Sequence, residues 1–257
     1  MNLKTLFTNM SDMRTRYSLR LAGRCAILVI GILLCIFDPS QFDVLRGANF
    51  FRSFSWLHLL WGVWVIDMAA QLFPLRAHIS LGSQKMWKMR FRPLKEKFSV
   101  EALRKHIVDT TRAAYKVMLL WIALIAVIGY LHHVGVMSDV ALFMTTVVFY
   151  VCDLICVLIW CPFRLIMRNR CCTTCRIFNW DYIMMCTPLM VLRGPLILSA
   201  CVLSVILLLR WEITHSRTPQ RFYESCNRSM RCSECQEHLC KYKRALQRAA
   251  KRSKSQH

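Results

Sequence analysis

Five stretches of this chain are apolar enough to leave water, and the polar positions between them come mostly as short basic blocks. Residues 21–37, 54–73, 114–133 and 140–160 each supply close to the roughly 20 mostly apolar residues with which an α-helix crosses about 30 Å of hydrocarbon. They predict four transmembrane helices in two hairpins. A fifth apolar region, Ile183 to Trp211, is interrupted by Arg193-Gly194-Pro195 and contains Thr187-Pro188, so it predicts a segment broken or kinked near Gly194. The first run follows Lys4, Arg14, Arg16, Arg20 and Arg24 in the manner of a secretory signal. The residues after Phe37, however, are Asp-Pro-Ser-Gln, with no small-x-small cleavage site, which predicts a retained anchor. Ser99 is placed to cap a helix that continues through Glu101, Arg104 and Lys105 into the third run.

The expected fold class is therefore all-α: a polytopic integral membrane protein with four firm transmembrane helices, a broken fifth segment and a cytosolic Cys-rich module. The divisions are a basic N-terminus (1–20), a first hairpin (21–73), a basic amphipathic segment (74–113) and a second hairpin (114–163). A Cys-rich loop (164–182), the broken or re-entrant segment (183–211) and a basic Cys-rich tail (212–257) complete the chain. Composition agrees. With 56% hydrophobic residues in 257 and a mean hydropathy of +0.36, an ordinary soluble domain and a disordered chain are both excluded.

Charge then orients the spans. The chain carries 35 Lys and Arg against 14 Asp and Glu, a net +21. Basic residues number five in 1–24, two in 38–53, eleven in 74–116 and none in 132–139, which predicts a cytosolic N-terminus and a cytosolic 74–113 in a cell membrane. The twelve basic residues of 210–257 predict a cytosolic tail as well, yet a single fifth crossing would put that tail outside. A re-entrant hairpin turning near Gly194 reconciles the two, at the expected cost of leaving Arg193 at depth.

Two carboxylates fall inside the spans. Asp67 and Asp153 each lie 13 residues into a helix running from outside to inside, so they share a depth where an unpaired charge costs at least about 2.5 kcal/mol. Arg24 and Lys116 begin the first and third spans from the cytosolic side and are long enough to reach down to them. Each hairpin repeats the pattern: Trp64-Val-Ile-Asp67 precedes Pro74-Leu-Arg76, and Tyr150-Val-Cys-Asp153 precedes Pro162-Phe-Arg164. These charges read either as structural ion pairs or as a cation or proton site, with Gln71 and Cys156 nearby. His58, His132 and His133 share the outer level, where imidazoles bind a metal or haem, or simply meet water and loop carbonyls.

Fourteen cysteines change the picture again. Six lie in apolar runs as small hydrophobes. The other eight, Cys161, Cys171, Cys172, Cys175, Cys226, Cys232, Cys235 and Cys240, sit in polar sequence. The Cys-x-x-Cys pairs 172/175 and 232/235 have the spacing with which two knuckles build a four-thiolate zinc site, and Cys161, Cys171, Cys226 and Cys240, with His238, are secondary ligands. An iron–sulfur cluster is the rival cofactor, although no complete C-x2-C-x2-C-x3-C-P run is present. Disulfides and unliganded thiols are the plainer alternatives.

Residues 85–98 place six basic residues among Trp87, Phe91 and Phe98, a composition suited to anionic lipid headgroups; the basic tail reads as a lipid and topology signal before it reads as a nucleic-acid surface. No Walker loop, dinucleotide turn, His-Glu-x-x-His or Gly-x-Ser-x-Gly occurs, so neither a catalytic residue nor a reaction is assigned. The functional expectation is a membrane protein whose cytosolic cysteine cluster holds structural zinc and docks a cytosolic protein partner. The alternatives are an iron–sulfur redox carrier and a small cation or proton transporter using Asp67 and Asp153.

Overall fold

A computed structural model describes residues 12–47, 49–73, 91–94, 99–168 and 175–231. The regular secondary structure among its described residues is helical, with one isolated bridge between Pro93 and Asn227. The helices are α1 (Asp12–Phe37), α2 (Asn49–Arg52), α3 (Trp56–Leu72), α4 (Val100–His133), α5 (Asp139–Leu158), α6 (Phe163–Met167), α7 (Asp181–Cys186) and α8 (Pro195–Arg217). Four stretches are long and apolar enough to cross a membrane: Tyr17–Phe37, Val100–His133, Asp139–Leu158 and Pro195–Arg217. The expected second span is shorter than this standard, because α3 has 17 residues between its cap at Ser55 and its end at Leu72.

Local chemistry fixes the boundaries. Ser55 caps α3 by accepting from Leu57 N–H, and His58 Nδ1 accepts the Ser55 N–H in return, a capping box. Ser99 and Ser138 cap α4 and α5 by accepting from Ala102 and Ala141. Helix α4 ends in a Schellman turn: Gly135 adopts φ +78, its N–H reaches His132 O, and Val136 N–H reaches Leu131 O.

Helices α1 and α5 pack antiparallel, with Arg24 beside Tyr150 and Gly31 beside Met144. Helix α8 runs in the same direction as α3, since Trp61 Nε1 donates to Ser199 Oγ at one end and Arg210 donates to Gln71 O at the other. Against α4, α5 and α8 lies the rising limb 176–193, built from 3-10 turns at Arg176–Trp180 and Thr187–Val191 around α7. Arg176 bonds Thr111 and Val191 packs beside Gly129, so this limb climbs about 27 Å along α4.

That climb carries the chain from one end of the bundle to the other before α8 begins. The turn at Arg193-Gly194 lies against the 38–47 loop: Gly47 N–H reaches Arg193 O, and Leu45 O stands 2.8 Å from where a Gly194 Cβ would be. The chain then returns through α8, and residues 218–231 pack beside the start of α4. His106 stacks on Tyr223 at 4.4 Å, Leu94 N–H donates to Cys226 O, and Arg228 N–H donates to Arg92 O. Segments 91–94 and 218–231 therefore share one end of the bundle. The break near Gly194 lies where the sequence put it, but Arg193 is exposed at the opposite end and not at depth. The correction has a simple cause: 3-10 turns rise about 2 Å per residue, so the limb spans the bundle with fewer residues than an α-helix needs.

The core gathers around this limb, with Trp64, Met68, Phe143, Cys186, Leu189 and Ala200 buried. The outward faces of α1, α4 and α8 carry exposed Val29, Ile36, Leu119, Ile122, Leu198 and Leu209. A surface this apolar is compatible with a membrane location.

Candidate functional site

Polar side chains meet in one place inside the bundle. Arg24 of α1 is buried, donates to Asp153 Oδ2 at 2.7 Å and to Tyr150 O at 2.5 Å, and lies 3.8 Å from the Tyr150 ring centroid. The Tyr150 hydroxyl donates to Asp67 Oδ2 at 3.4 Å, a long bond, and thereby links the two expected aspartates at one level. The Trp64 and Tyr150 rings, each three residues before its aspartate, meet edge to face at 6.0 Å. The repeated tetrapeptides thus face each other across the bundle, and the arginine of the first hairpin serves the aspartate of the second.

Lys116 stands apart. Its turn of α4 buries Ala114 and Val117 and leaves Lys116 exposed, while the cations nearest in effect to Asp67 are Arg20 and Arg24 of α1. Gln71 is buried one turn below Asp67, where its backbone carbonyl receives Arg210.

A third carboxylate, Asp181 at the start of α7, joins the group within electrostatic reach of Asp153, Arg24 and Asp67. It accepts the Tyr182 N–H at 2.8 Å and forms no ion pair among the described residues. Sequence reading missed it by assigning 164–182 to a polar loop. The available signal was an acid set directly before the apolar run Tyr182–Met185, with Trp180 before it. Asp153 and Asp181 both border a cavity of about 210 Å³. Helix α5 contributes Cys152 and Cys156 to its wall, and Cys161 and Cys175 close it toward the end where the tail emerges.

Of the eight candidate metal ligands, Cys161, Cys175 and Cys226 fall on described residues, all buried. Cys161 and Cys175 share the cavity, whereas Cys226 sits where Leu94 bonds its carbonyl. Cys171, Cys172, Cys232, Cys235 and Cys240 lie outside the described residues, as do most of 85–98 and the basic tail. Among the described residues no group of three His, Cys, Asp or Glu side chains is placed to hold a metal ion. Two of the three outer histidines make other bonds: His58 completes its capping box and bonds Phe50 O at 2.9 Å, and His132 bonds Asp139 at 3.1 Å.

A second polar knot lies nearer the tail. Glu212 of α8 receives Arg176 at 2.5 Å and Trp180 Nε1 at 2.8 Å, which pins the start of the rising limb to α8. Comparison with protein-family models, curated proteins and solved structures finds no match to this chain.

Proposed function

We propose that the protein is a small proton-linked transporter of the cell membrane, in which Asp67, Asp153 and Asp181 take up a proton from one side of the bilayer and release it to the other. The observation carrying this reading is the convergence of three carboxylates from three helical segments on Arg24, beside a cavity, inside an apolar bundle. A structural ion pair needs one acid. Two further carboxylates at membrane depth are costly, and acids retained there mark ion or proton pathways. Basic residues at the end holding 91–94 and 218–231 orient that end to the cytosol.

The test is proton flux. The full chain is reconstituted in liposomes loaded with a pH-sensitive dye, and a potassium diffusion potential is imposed with valinomycin. The expected result is dye acidification above protein-free liposomes, reduced at least about tenfold in Asp67→Asn and Asp181→Asn variants that elute and melt like the parent. Flux equal to the blank, or unchanged in both variants, overturns the reading.

A separate structural zinc on Cys172, Cys175, Cys232 and Cys235 draws support from one observation: the loop ending at Cys175 and the tail beginning after Arg231 leave the same end of the bundle. Zinc there would tie the tail to the loop and present a surface for a cytosolic partner. Elemental analysis should give about one zinc per chain, lost on serine replacement of Cys232 and Cys235. Less than about 0.2 zinc per chain, without a brown iron–sulfur chromophore, overturns both metal readings.

A further inference from the structure

We infer that the cavity between α4, α5, α6 and the rising limb binds a lipophilic organic ammonium, with Asp181 as its counter-ion. This rests on the transporter reading and deepens it by naming the solute that shares the carboxylate group with the proton.

The lining is almost wholly apolar, and three aromatic rings form one wall. Trp121 lies 4.9 Å from Phe149 and 6.2 Å from Phe163, centroid to centroid, and its indole N–H donates to Thr187 Oγ1 at 3.0 Å, which fixes the ring plane. Met184 and Met185 also line the cavity. Against this wall stand two carboxylates with unequal commitments. Asp153 is bonded by Arg24 at 2.7 Å, while Asp181 accepts the Tyr182 N–H and feels Arg24 only from a distance, with no ion pair of its own among the described residues. An apolar chamber lined by aromatic rings and bordered by a carboxylate without its own ion pair complements a positive charge carried on a hydrophobic body.

The competing ions fit less well. A hard cation needs about six oxygen ligands, and the cavity offers two carboxylates in an apolar wall. A soft metal would use the thiols, yet no three ligating side chains converge among the described residues. Size sets the ligand class. A cavity of about 150 Å³ admits benzene, so about 210 Å³ admits one ring bearing a short ammonium arm.

Benzyltrimethylammonium is the probe and neopentylbenzene, its uncharged isostere, the control. Saturable binding of radiolabelled benzyltrimethylammonium to the full chain in nanodiscs is measured against empty nanodiscs. We expect one site per chain, competition by neopentylbenzene at least about tenfold weaker, about tenfold lower affinity in Asp181→Asn, and recovery in Asp181→Glu. Phe149→Leu, which leaves every charge in place, should weaken binding about threefold or more and covers the case of a misfolded Asp181→Asn. No saturable binding, equal affinity for the isostere, or binding unchanged in both Asp181→Asn and Phe149→Leu overturns the inference. Binding without proton flux would remove the transporter reading and leave the cation site standing; flux without binding would do the reverse.

Discussion

Replacing Arg24 by Met removes the cation bonded to Asp153 among the described residues and leaves a largely buried carboxylate without an ion-pair partner. Side-chain exposures of 10% and 20% place this pair among buried ion pairs, where deleting one partner costs about 3–5 kcal/mol. Arg24→Met also gives up the bond to Tyr150 O and the contact with its ring. The expected destabilisation is about 3–5 kcal/mol. The double variant Arg24→Met/Asp153→Leu, which removes both charges, should return to within about 1 kcal/mol of the parent. SDS-induced unfolding in mixed micelles, followed by tryptophan fluorescence at pH 7, provides the assay. A cost below about 1 kcal/mol at pH 7, or a double variant no better than the single, would refute the burial of this pair.

Gly194→Ala should destabilise by about 1–3 kcal/mol, because the new Cβ would stand 2.8 Å from the Leu45 carbonyl oxygen and one backbone must move. Gly62→Ala, inside α3 with no atom within 4 Å, should be neutral or stabilising by up to about 1 kcal/mol, and equal effects of the two in thermal unfolding would disprove the close approach. The Asp38 carboxylate accepts from Ser40 Oγ and from Gln41 Nε2 at 2.8 Å, which holds it below the usual carboxylate range. Its contribution to the loop is present above the unfolded value and lost as pH falls through the lowered one. Carboxyl NMR should show a midpoint under about 3.9 that rises in Ser40→Ala, and no change would contradict these bonds. Burial of Cys226 pushes its thiol up, so iodoacetamide at pH 8, read by peptide mass spectrometry, should modify it about tenfold faster after SDS unfolding than before; equal rates would contradict its packing.

Helix positions were legible wherever a single apolar period ran long enough. The runs 21–37, 114–133 and 140–160 correspond to α1, α4 and α5, and the Arg193-Gly194-Pro195 punctuation marks a true break. The rising limb was hidden because 3-10 turns at 176–180 and 187–191 carry neither the length nor the 3.6 period that sequence patterns detect. Asp67 and Asp153 were visible as charges in apolar context. Their partners were not, because the count of residues along a helix gives depth but not azimuth. Lys116 and Arg24 had equal claims by depth, and only the faces decide: Lys116 turns outward while Arg24 points to α5.

The same irregularity that hid the limb explains why charge gathers beside it. A broken helix leaves backbone carbonyls and N–H groups without regular partners, so it is tolerated at membrane depth only when enclosed by protein. Here α4, α5 and α8 enclose it, with Cys186 and Leu189 fully buried. The enclosed backbone brings Asp181 to the level of Asp153, the cavity opens beside them, and Arg24 reaches in from α1. A straight fifth helix would have removed the turn that positions Asp181 and placed the tail at the other end of the bundle. The carboxylate cluster and the position of the tail are therefore two consequences of one break in the helical pattern, and a variant that straightened the limb should lose both together.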